Sequence, residues 1–259
     1  MAIAAHEQLP NSANKPVIIS GISMETGIKD DYVVKLNASE RMHKEARLRE
    51  LLAAFIAMEM ELQVVEPAVI NITQEFAVNQ LGQVFHQTVS NSLGYNVGSR
   101  YVPKYITLDN TISLTVHQEK AAQNIFAFDL LIQNNDRNYE KPNMITDGQK
   151  LIMLDHELAF GFHLVLPFLR NNQPWIFIDS DLVWVNKHCL LKRLKSKFYE
   201  LEGFSERMTN LNTLFWDRAK ELIPIEWFDD EIFTSIKKHI NSIMEHRNEF
   251  ISNLKILLS

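Results

Sequence analysis

The feature that most constrains the fold is a short apolar segment with a turn at its centre, residues 143–155. Asp147 and Gly148 are a strong turn signal between two apolar arms, and this pattern predicts a tight β-hairpin. The surrounding sequence is typical of helices. A helix is predicted over 115–133, and the chain is mostly helical from Asp181 onward. The second half of the chain is therefore predicted to be helices around one hairpin.

The first half of the chain has a different character. Strands are predicted at 17–20, 32–36 and 67–73, and helices at 39–62 and 75–92, with a loop at 94–100. Strands gathered in one half and helices in the other favour an α+β fold over alternating βαβ units. The domain organisation predicted from this order is a flexible segment at 1–15, a β-rich unit at 16–108 and a mostly helical unit at 109–259.

Charge and cysteine content exclude several classes of protein. A net charge of −6 creates no overall field that would attract nucleic acid. The single cysteine, Cys189, allows neither an intrachain disulfide nor a cysteine-based zinc site, and this suits a reducing compartment. No apolar run approaches the roughly 20 residues that span a bilayer, and the N-terminus lacks the apolar core of a signal peptide. We therefore expect a cytoplasmic protein with no membrane span and no nucleic-acid partner.

The candidate chemistry lies in the polar loop before the hairpin and at the far end of the hairpin. The loop contains Asp136 and leads into Asn143, and the hairpin ends at Asp155. Phosphoryl transfer needs one carboxylate to orient the attacking hydroxyl, and an asparagine with a second carboxylate to hold Mg²⁺. Each residue alone would be interpreted as a turn or strand-end residue. The three together, with the hairpin between them, favour a catalytic role.

A second candidate is Lys35, which stands inside an apolar strand. Lysine is rarely buried unless it is paired with an acidic group. From a strand it could reach nucleotide phosphates and pair with a glutamate on the following helix, for which Glu45 and Glu50 are both candidates. The alternative is a lysine on an edge strand that faces water, which is common.

These motifs occur in the order seen in HipA-like kinases, and the chain resembles the compact branch of that family over residues 17–165. The resemblance is carried by Val33-Val34-Lys35, the helix with Glu50 leading to Val65-Glu66-Pro67, Gly98-Ser99-Arg100, Asn135-Asp136-Arg137, Pro142-Asn143 and Leu154-Asp155-His156. It implies a two-lobed protein-kinase-like fold. It also implies an ATP- and Mg²⁺-dependent phosphotransferase, a serine/threonine-protein kinase.

The resemblance further implies a role for each matched residue. Lys35 would contact the ATP phosphates, and Glu50 would orient Lys35. Asp136 would be the catalytic base or would orient the acceptor hydroxyl. Asn143 and Asp155 would bind Mg²⁺.

Other positions near the motif leave alternatives open. The resemblance groups Arg137 with Asp136 as a catalytic residue, and Arg137 would position either phosphate or the loop after Asp155. Protein kinases place a metal-binding asparagine five residues after the catalytic aspartate. In this chain the residue five positions after Asp136 is Lys141. Asn138 is a further candidate ligand for Mg²⁺. Asp155-His156-Glu157 stands where other kinases have the motif Asp-Phe-Gly. Glutamate in place of that glycine limits the conformations of the backbone after Asp155.

These departures keep two alternative functions open. One is a pseudokinase that binds nucleotide or a partner without transferring phosphate. The other is a kinase of a small molecule or lipid headgroup. The expected acceptor is a protein, although no motif identifies it. ATP is the expected partner in all of the enzymatic interpretations.

Overall fold

The computed structural model describes residues 1–9, 13–109, 111–197 and 200–259. The strands are β1 (Ala2–Gln8), β2 (Val17–Ile22), β3 (Lys29–Lys35), β4 (Pro67–Ile72), β5 (Gly94–Arg100), β6 (Ile106–Thr107), β7 (Met144–Thr146) and β8 (Leu151–Met153). The α-helices are α1 (Lys44–Glu59), α2 (Gln74–Val78), α3 (His86–Ser90), α4 (Val116–Leu131), α5 (Asp179–Val185), α6 (Leu191–Leu194), α7 (Glu202–Met208), α8 (Thr213–Leu222), α9 (Asp230–Glu245) and α10 (Arg247–Leu258). None of the helices in these described ranges is long and apolar enough to cross a membrane.

The strands of the first half form one antiparallel sheet in the order β1-β2-β3-β5-β4. Strand β3, which carries Lys35, is therefore central and is bonded on both sides. The mixture of antiparallel sheets and helices is compatible with the predicted kinase-like fold. A hydrophobic cluster packs against this sheet and extends from Ala2 to Val89.

The predicted hairpin is present as β7 and β8, and β6 pairs with β7 to make a three-stranded sheet. The Asp147 carboxylate accepts hydrogen bonds from the backbone N–H groups of Gln149 and Lys150, at 2.9 and 2.7 Å. Gly148 has a φ of 90°, a conformation that side-chain-bearing residues rarely adopt. Local turn chemistry thus determines this element, which is why the sequence predicted it correctly.

Helix α4 begins where a capping box closes its first turn. Thr115 Oγ1 accepts from the backbone N–H of Gln118, and the Gln118 side chain accepts from the Thr115 N–H at 2.9 Å. The helix then buries both aromatic and aliphatic side chains in a second, larger hydrophobic cluster that also includes α1 and the C-terminal helices. The packing of helix α4 therefore fixes the start of the loop that follows it, which contains Asp136.

Several local predictions for the first half are wrong. Residues 2–8 of the segment predicted to be flexible form β1, which pairs with β2 along the edge of the sheet, while residues 10–12 of that segment lie outside the described residues. The predicted loop at 94–100 is strand β5. Its Gly98 serves close packing, because a Cβ there would lie 3.2 Å from the carbonyl oxygen of Val33. The helix predicted at 39–62 begins only at Lys44, and the one predicted at 75–92 is two short helices.

The buried thiol of Cys189 gives a prediction about chemical reactivity. Cys189 is 1% exposed, and burial raises its pKa to about 12. Because only the thiolate attacks disulfide reagents, we expect the native protein to react with Ellman's reagent at pH 8 about 10³-fold more slowly than the unfolded chain. Absorbance kinetics with and without guanidinium would measure the ratio. Rapid stoichiometric labelling of the native protein would contradict the prediction.

Candidate functional site

A cavity of about 490 Å³ lies where the five-stranded sheet faces the β7–β8 hairpin. This volume is within the range of small-molecule sites. Its lining includes four of the predicted site residues: Lys35, Glu50, Asn143 and Asp155. The fold thus brings residues that are more than a hundred positions apart to one cavity.

Lys35 is the centre of a cluster of carboxylates at the back of this cavity. Its Nζ lies 2.7 Å from Asp155 Oδ1, 3.1 Å from Glu50 Oε2 and 3.3 Å from Glu157 Oε2. The Lys35 side chain is only 12% exposed. Burial by itself lowers the pKa of Lys35, but the three carboxylates outweigh it and raise the pKa above its usual value. Lys35 is therefore held as a buried cation.

The structure decides between the alternatives that the sequence left open for Lys35. The predicted ion pair with Glu50 is confirmed, whereas Glu45 lies 3.7 Å from His43 instead. The edge-strand alternative is wrong, since β3 has neighbours on both sides. Glu50 also accepts the backbone N–H of His156 at 2.7 Å, and burial raises its pKa to about 6. Glu50 thereby connects α1 to the segment after the hairpin.

Two members of this cluster, Glu157 and Asn14, were not predicted from the sequence as site residues. Glu157, considered only as a departure from a motif, is a third carboxylate against Lys35, and its side chain is 4% exposed. Its carboxylate accepts from Asn14 Nδ2, and its backbone oxygen accepts from Arg49 Nε at 3.1 Å. Burial raises the pKa of Glu157. No local pattern could have found a contact between residues 143 positions apart.

The two predicted metal ligands lie at the two ends of the hairpin. Asn143 precedes β7 and Asp155 follows β8, and the N–H of Leu154 donates to the carbonyl of Asn143 at 3.1 Å. Both residues have left-handed backbone conformations, with φ values of 47° and 61°. Asparagine and aspartate tolerate this region better than other side-chain-bearing residues. The hairpin and these two conformations direct both residues to one cavity.

The donor chemistry at the hairpin ends fits Mg²⁺. Asn143 Nδ2 faces Asp136 Oδ2 at 3.5 Å, which leaves the amide oxygen of Asn143 as an acceptor. Lys35 Nζ donates a hydrogen bond to Asp155 Oδ1, and no residue of the described ranges bonds to Asp155 Oδ2. Two hard oxygens are thus available, as Mg²⁺ requires. Among the described residues, no group of three or more His, Cys, Asp or Glu side chains could hold a metal ion by itself.

Asp136 stands beside the proposed metal ligand. Its Oδ2 faces Asn143, and its Oδ1 lies 3.9 Å from Lys141 Nζ. Burial raises the pKa of Asp136, and the negative charge of Asp155 acts in the same direction. Asp136 itself does not line the cavity, but Lys141 and Asn143, which it contacts, do. A carboxylate with a raised pKa at this position is suited to accept a proton.

Asn138, the further candidate ligand, has a different position. Its Oδ1 accepts the backbone N–H groups of Glu140 and Lys141, at 2.9 and 3.1 Å, and its Nδ2 donates to the carbonyl of Asp136. The side chain is thus used to close the loop, and it does not line the cavity. The arrangement favours Asn143 as the metal ligand.

Arg137 needs a correction, because its side chain is fully buried and cannot reach a phosphate in the cavity. Its Nη1 donates to the carbonyls of Asn143 and, at 3.3 Å, Leu154, while its Nη2 lies 3.1 Å from His156 Nε2. Arg137 therefore contacts both ends of the hairpin. Of the two roles predicted for Arg137, the geometry fits positioning of the segment around Asp155, so its contacts are those of a positioning residue and not of a catalytic one.

The charge of Arg137 is balanced by a buried network on helix α4. Asp129 accepts from Arg137 Nε at 2.5 Å, from His188 Nε2 at 2.9 Å and from Asn134 Nδ2 at 2.8 Å. His188 Nδ1 accepts the N–H of Leu190, so the proton of the neutral ring is on Nε2. Despite complete burial, the Arg137 guanidinium and the His188 bond lower the pKa of Asp129 to about 2. This ionised carboxylate anchors the arginine that holds the hairpin.

The comparison with known protein families agrees with this geometry. A family model described as "HipA-like kinase" matches residues 28–253, which include all six predicted site residues. No curated protein gives a significant match to the chain.

Proposed function

This chain belongs to the HipA-like kinase family, whose members are phosphotransferases, and from that premise we propose that it transfers the γ-phosphate of ATP, with Mg²⁺, to a serine or threonine hydroxyl of a protein. The observation that carries the proposal is the buried lysine with its three carboxylates, which lines the same cavity as Asn143. Protein kinases use such a lysine–glutamate pair, together with a metal-binding aspartate, to hold ATP.

We also propose that the chain has the two-lobed arrangement of kinases, with an N-lobe at 16–108, extended at its start by β1, and a C-lobe at 109–259. One fact supports this division: the five-stranded sheet and the hydrophobic cluster against it use only residues up to position 100. The larger cluster contains α1 together with the helices of the second half, so it would pack the two lobes against each other. The cavity then lies between the lobes, where kinases bind nucleotide.

In the proposed reaction the chain mainly positions and stabilises charge. The ammonium of Lys35, oriented by Glu50, contacts phosphate oxygens of ATP. Asn143 and Asp155 would hold Mg²⁺, which neutralises charge on the phosphates. Asp136 orients the acceptor hydroxyl and takes its proton, as the new O–P bond forms and the bond to ADP breaks. Arg137 keeps both ends of the hairpin in place for these contacts.

Turnover and acceptor identity separate this function from the alternatives. We expect Mg²⁺-dependent ATP binding followed by ADP formation and by labelled protein when cell extract is incubated with the chain and γ-labelled ATP. Binding with no turnover on any acceptor would favour a pseudokinase. Label confined to small molecules or lipids would favour the kinase of a small molecule or lipid headgroup. Mass spectrometry of the labelled extract distinguishes these outcomes.

Replacing Lys35 by methionine tests the nucleotide contact. We expect Mg-ATP affinity, measured by calorimetric titration, to fall about tenfold or more, since a charged hydrogen bond to phosphate is lost. Lys29→Met is the matched control, because this lysine is exposed at the other end of the same strand. Circular dichroism would verify folding, and Lys35→Arg keeps the charge if the methionine variant is unstable. Wild-type affinity in a folded Lys35→Met variant would contradict the assignment.

A further inference from the structure

The loop between Asp136 and Asn143 carries a lysine where protein kinases have a metal ligand. Those enzymes bind a second Mg²⁺ through an asparagine five residues after the catalytic aspartate. Here that position is Lys141. An ammonium has three donors and no acceptor, so it cannot coordinate a metal ion, and its charge repels one.

The backbone that presents Lys141 is well defined. The N–H of Asn138 donates to the carbonyl of Lys141 at 3.1 Å, and the N–H of Lys141 donates to Asn138 Oδ1 at 3.1 Å. These reciprocal bonds close the loop into a turn. The side chain of Asn138, the first asparagine after Asp136, is therefore used inside the loop and is not available to replace the missing ligand.

The Lys141 side chain lies close to the reacting groups. Its Nζ is 3.9 Å from Asp136 Oδ1, and the side chain is 47% exposed, so it can move toward a bound phosphate. Lys141 lines the cavity together with Arg41, an exposed residue from the segment before α1. The charge of Arg41 also acts on Asp136. Two cations thus flank the carboxylate at which we place the acceptor hydroxyl.

The charges in the cavity require cations when a triphosphate binds. Glu50, Asp155, Glu157 and Glu140 line the cavity and are acidic. Lys35 is already shared among the first three. One metal ion at Asn143 and Asp155 leaves part of the triphosphate charge uncompensated. Arg100 also lines the cavity, but it is paired with Asp30 and Glu66. Lys141 and Arg41 are the lining cations closest to the Asp136 end of the cavity, and we assign the remainder to them.

We propose that this chain binds ATP with a single divalent cation, and that the Lys141 ammonium, with Arg41 beside it, takes the place of a second cation at the transferred phosphate. This rests on the proposed kinase function and deepens it. It makes one side chain responsible for the metal stoichiometry of the site, and it predicts that an asparagine at position 141 restores a second metal site.

Electron paramagnetic resonance with Mn²⁺ counts the bound ions directly, without turnover. With the β,γ-imido analogue of ATP, we expect one Mn²⁺ per complex in the wild-type protein and two in Lys141→Asn. We expect Lys141→Met to keep one Mn²⁺ and to bind the analogue about tenfold more weakly. Lys150→Asn, at an exposed lysine in the hairpin turn outside the cavity, is the matched control and should keep one Mn²⁺.

The outcomes separate this inference from the kinase proposal. Two Mn²⁺ ions in the wild-type complex would overturn the inference and leave the kinase function standing. A single Mn²⁺ in Lys141→Asn would overturn the role of the lysine in excluding the second ion. Absence of analogue binding in the wild-type protein would overturn the proposed function, and the inference with it. Because Lys141 is half exposed, its replacement should not prevent folding.

Discussion

Replacing Asp136 by asparagine should lower the rate of phosphoryl transfer by about 10²–10⁴, the usual contribution of a positioned general base. Mg-ATP affinity should remain nearly unchanged, because the proposed partner of Asp136 is the acceptor hydroxyl, and its contacts are to Asn143 and Lys141 and not to Lys35. The rate is measured as ADP formation or self-labelling. Affinity is measured by calorimetric titration with Mg-ATP.

Replacing Asp155 by asparagine should have a different effect. Asp155 Oδ1 contacts Lys35 at 2.7 Å, and we propose that its second oxygen, Oδ2, binds the metal ion. Neutralising it should weaken Mg-ATP binding as well as the rate, since the charge that attracts both the metal and the lysine is lost. The two aspartates are thereby assigned to different steps, turnover for Asp136 and nucleotide binding for Asp155.

Asp179→Asn is the control for both variants, because this aspartate is exposed on α5 and lies outside the cavity. It should match the wild-type protein in rate and in affinity. Full activity in Asp136→Asn, combined with normal Mg-ATP binding in Asp155→Asn, would remove the basis of the kinase proposal. An interaction module would then be the better interpretation.

The second large effect is expected at Asp129, which never contacts the cavity. Replacing it by alanine leaves the buried Arg137 guanidinium without its counter-charge, and breaking a buried pair in this way costs about 3–5 kcal/mol of the free energy of unfolding. Urea unfolding followed by circular dichroism would measure the loss. Activity should fall with it, because Arg137 positions both Asn143 and the segment at Asp155.

The buried network around Asp129 also predicts that the free energy of unfolding decreases at acid pH. The folded-state pKa of Asp129 is about 2, below the unfolded value of about 3.9. The stability that Asp129 contributes is therefore present above about pH 3.9 and is lost as the pH falls toward 2, amounting to about 2–3 kcal/mol. In Asp129→Asn, which cannot titrate, this part of the pH dependence of unfolding should be missing.

A surface ion pair provides the control for the buried one. Glu59 contacts Arg218 at 2.9 Å, but the arginine side chain is largely exposed. Glu59→Ala should cost less than about 1 kcal/mol, because solvent already screens the pair. Equal losses in Asp129→Ala and Glu59→Ala would show that the buried network does not have the stabilising role that its geometry indicates.

Local sequence determined the elements whose signals are themselves local. The hairpin follows from the Asp147-Gly148 turn, and α4 from a capping threonine followed by a run of apolar residues. The candidate residues Asp136, Asn143 and Asp155 could be selected because they stand at the ends of these elements. Their residue types and spacing were enough to suggest phosphoryl transfer and the family resemblance.

Tertiary structure alone decided which of the candidates meet and which serve another purpose. Lys35 has three carboxylate partners and not one, Glu157 and Asn14 belong to its cluster, and β1 adds an edge strand that local propensity did not reveal. Arg137 is buried against Asp129, away from phosphate. The physical reason is that a contact between distant residues depends on how sheets and helices pack. Residue type and spacing indicate which groups can react, and only packing determines the distances between them and their exposure to water.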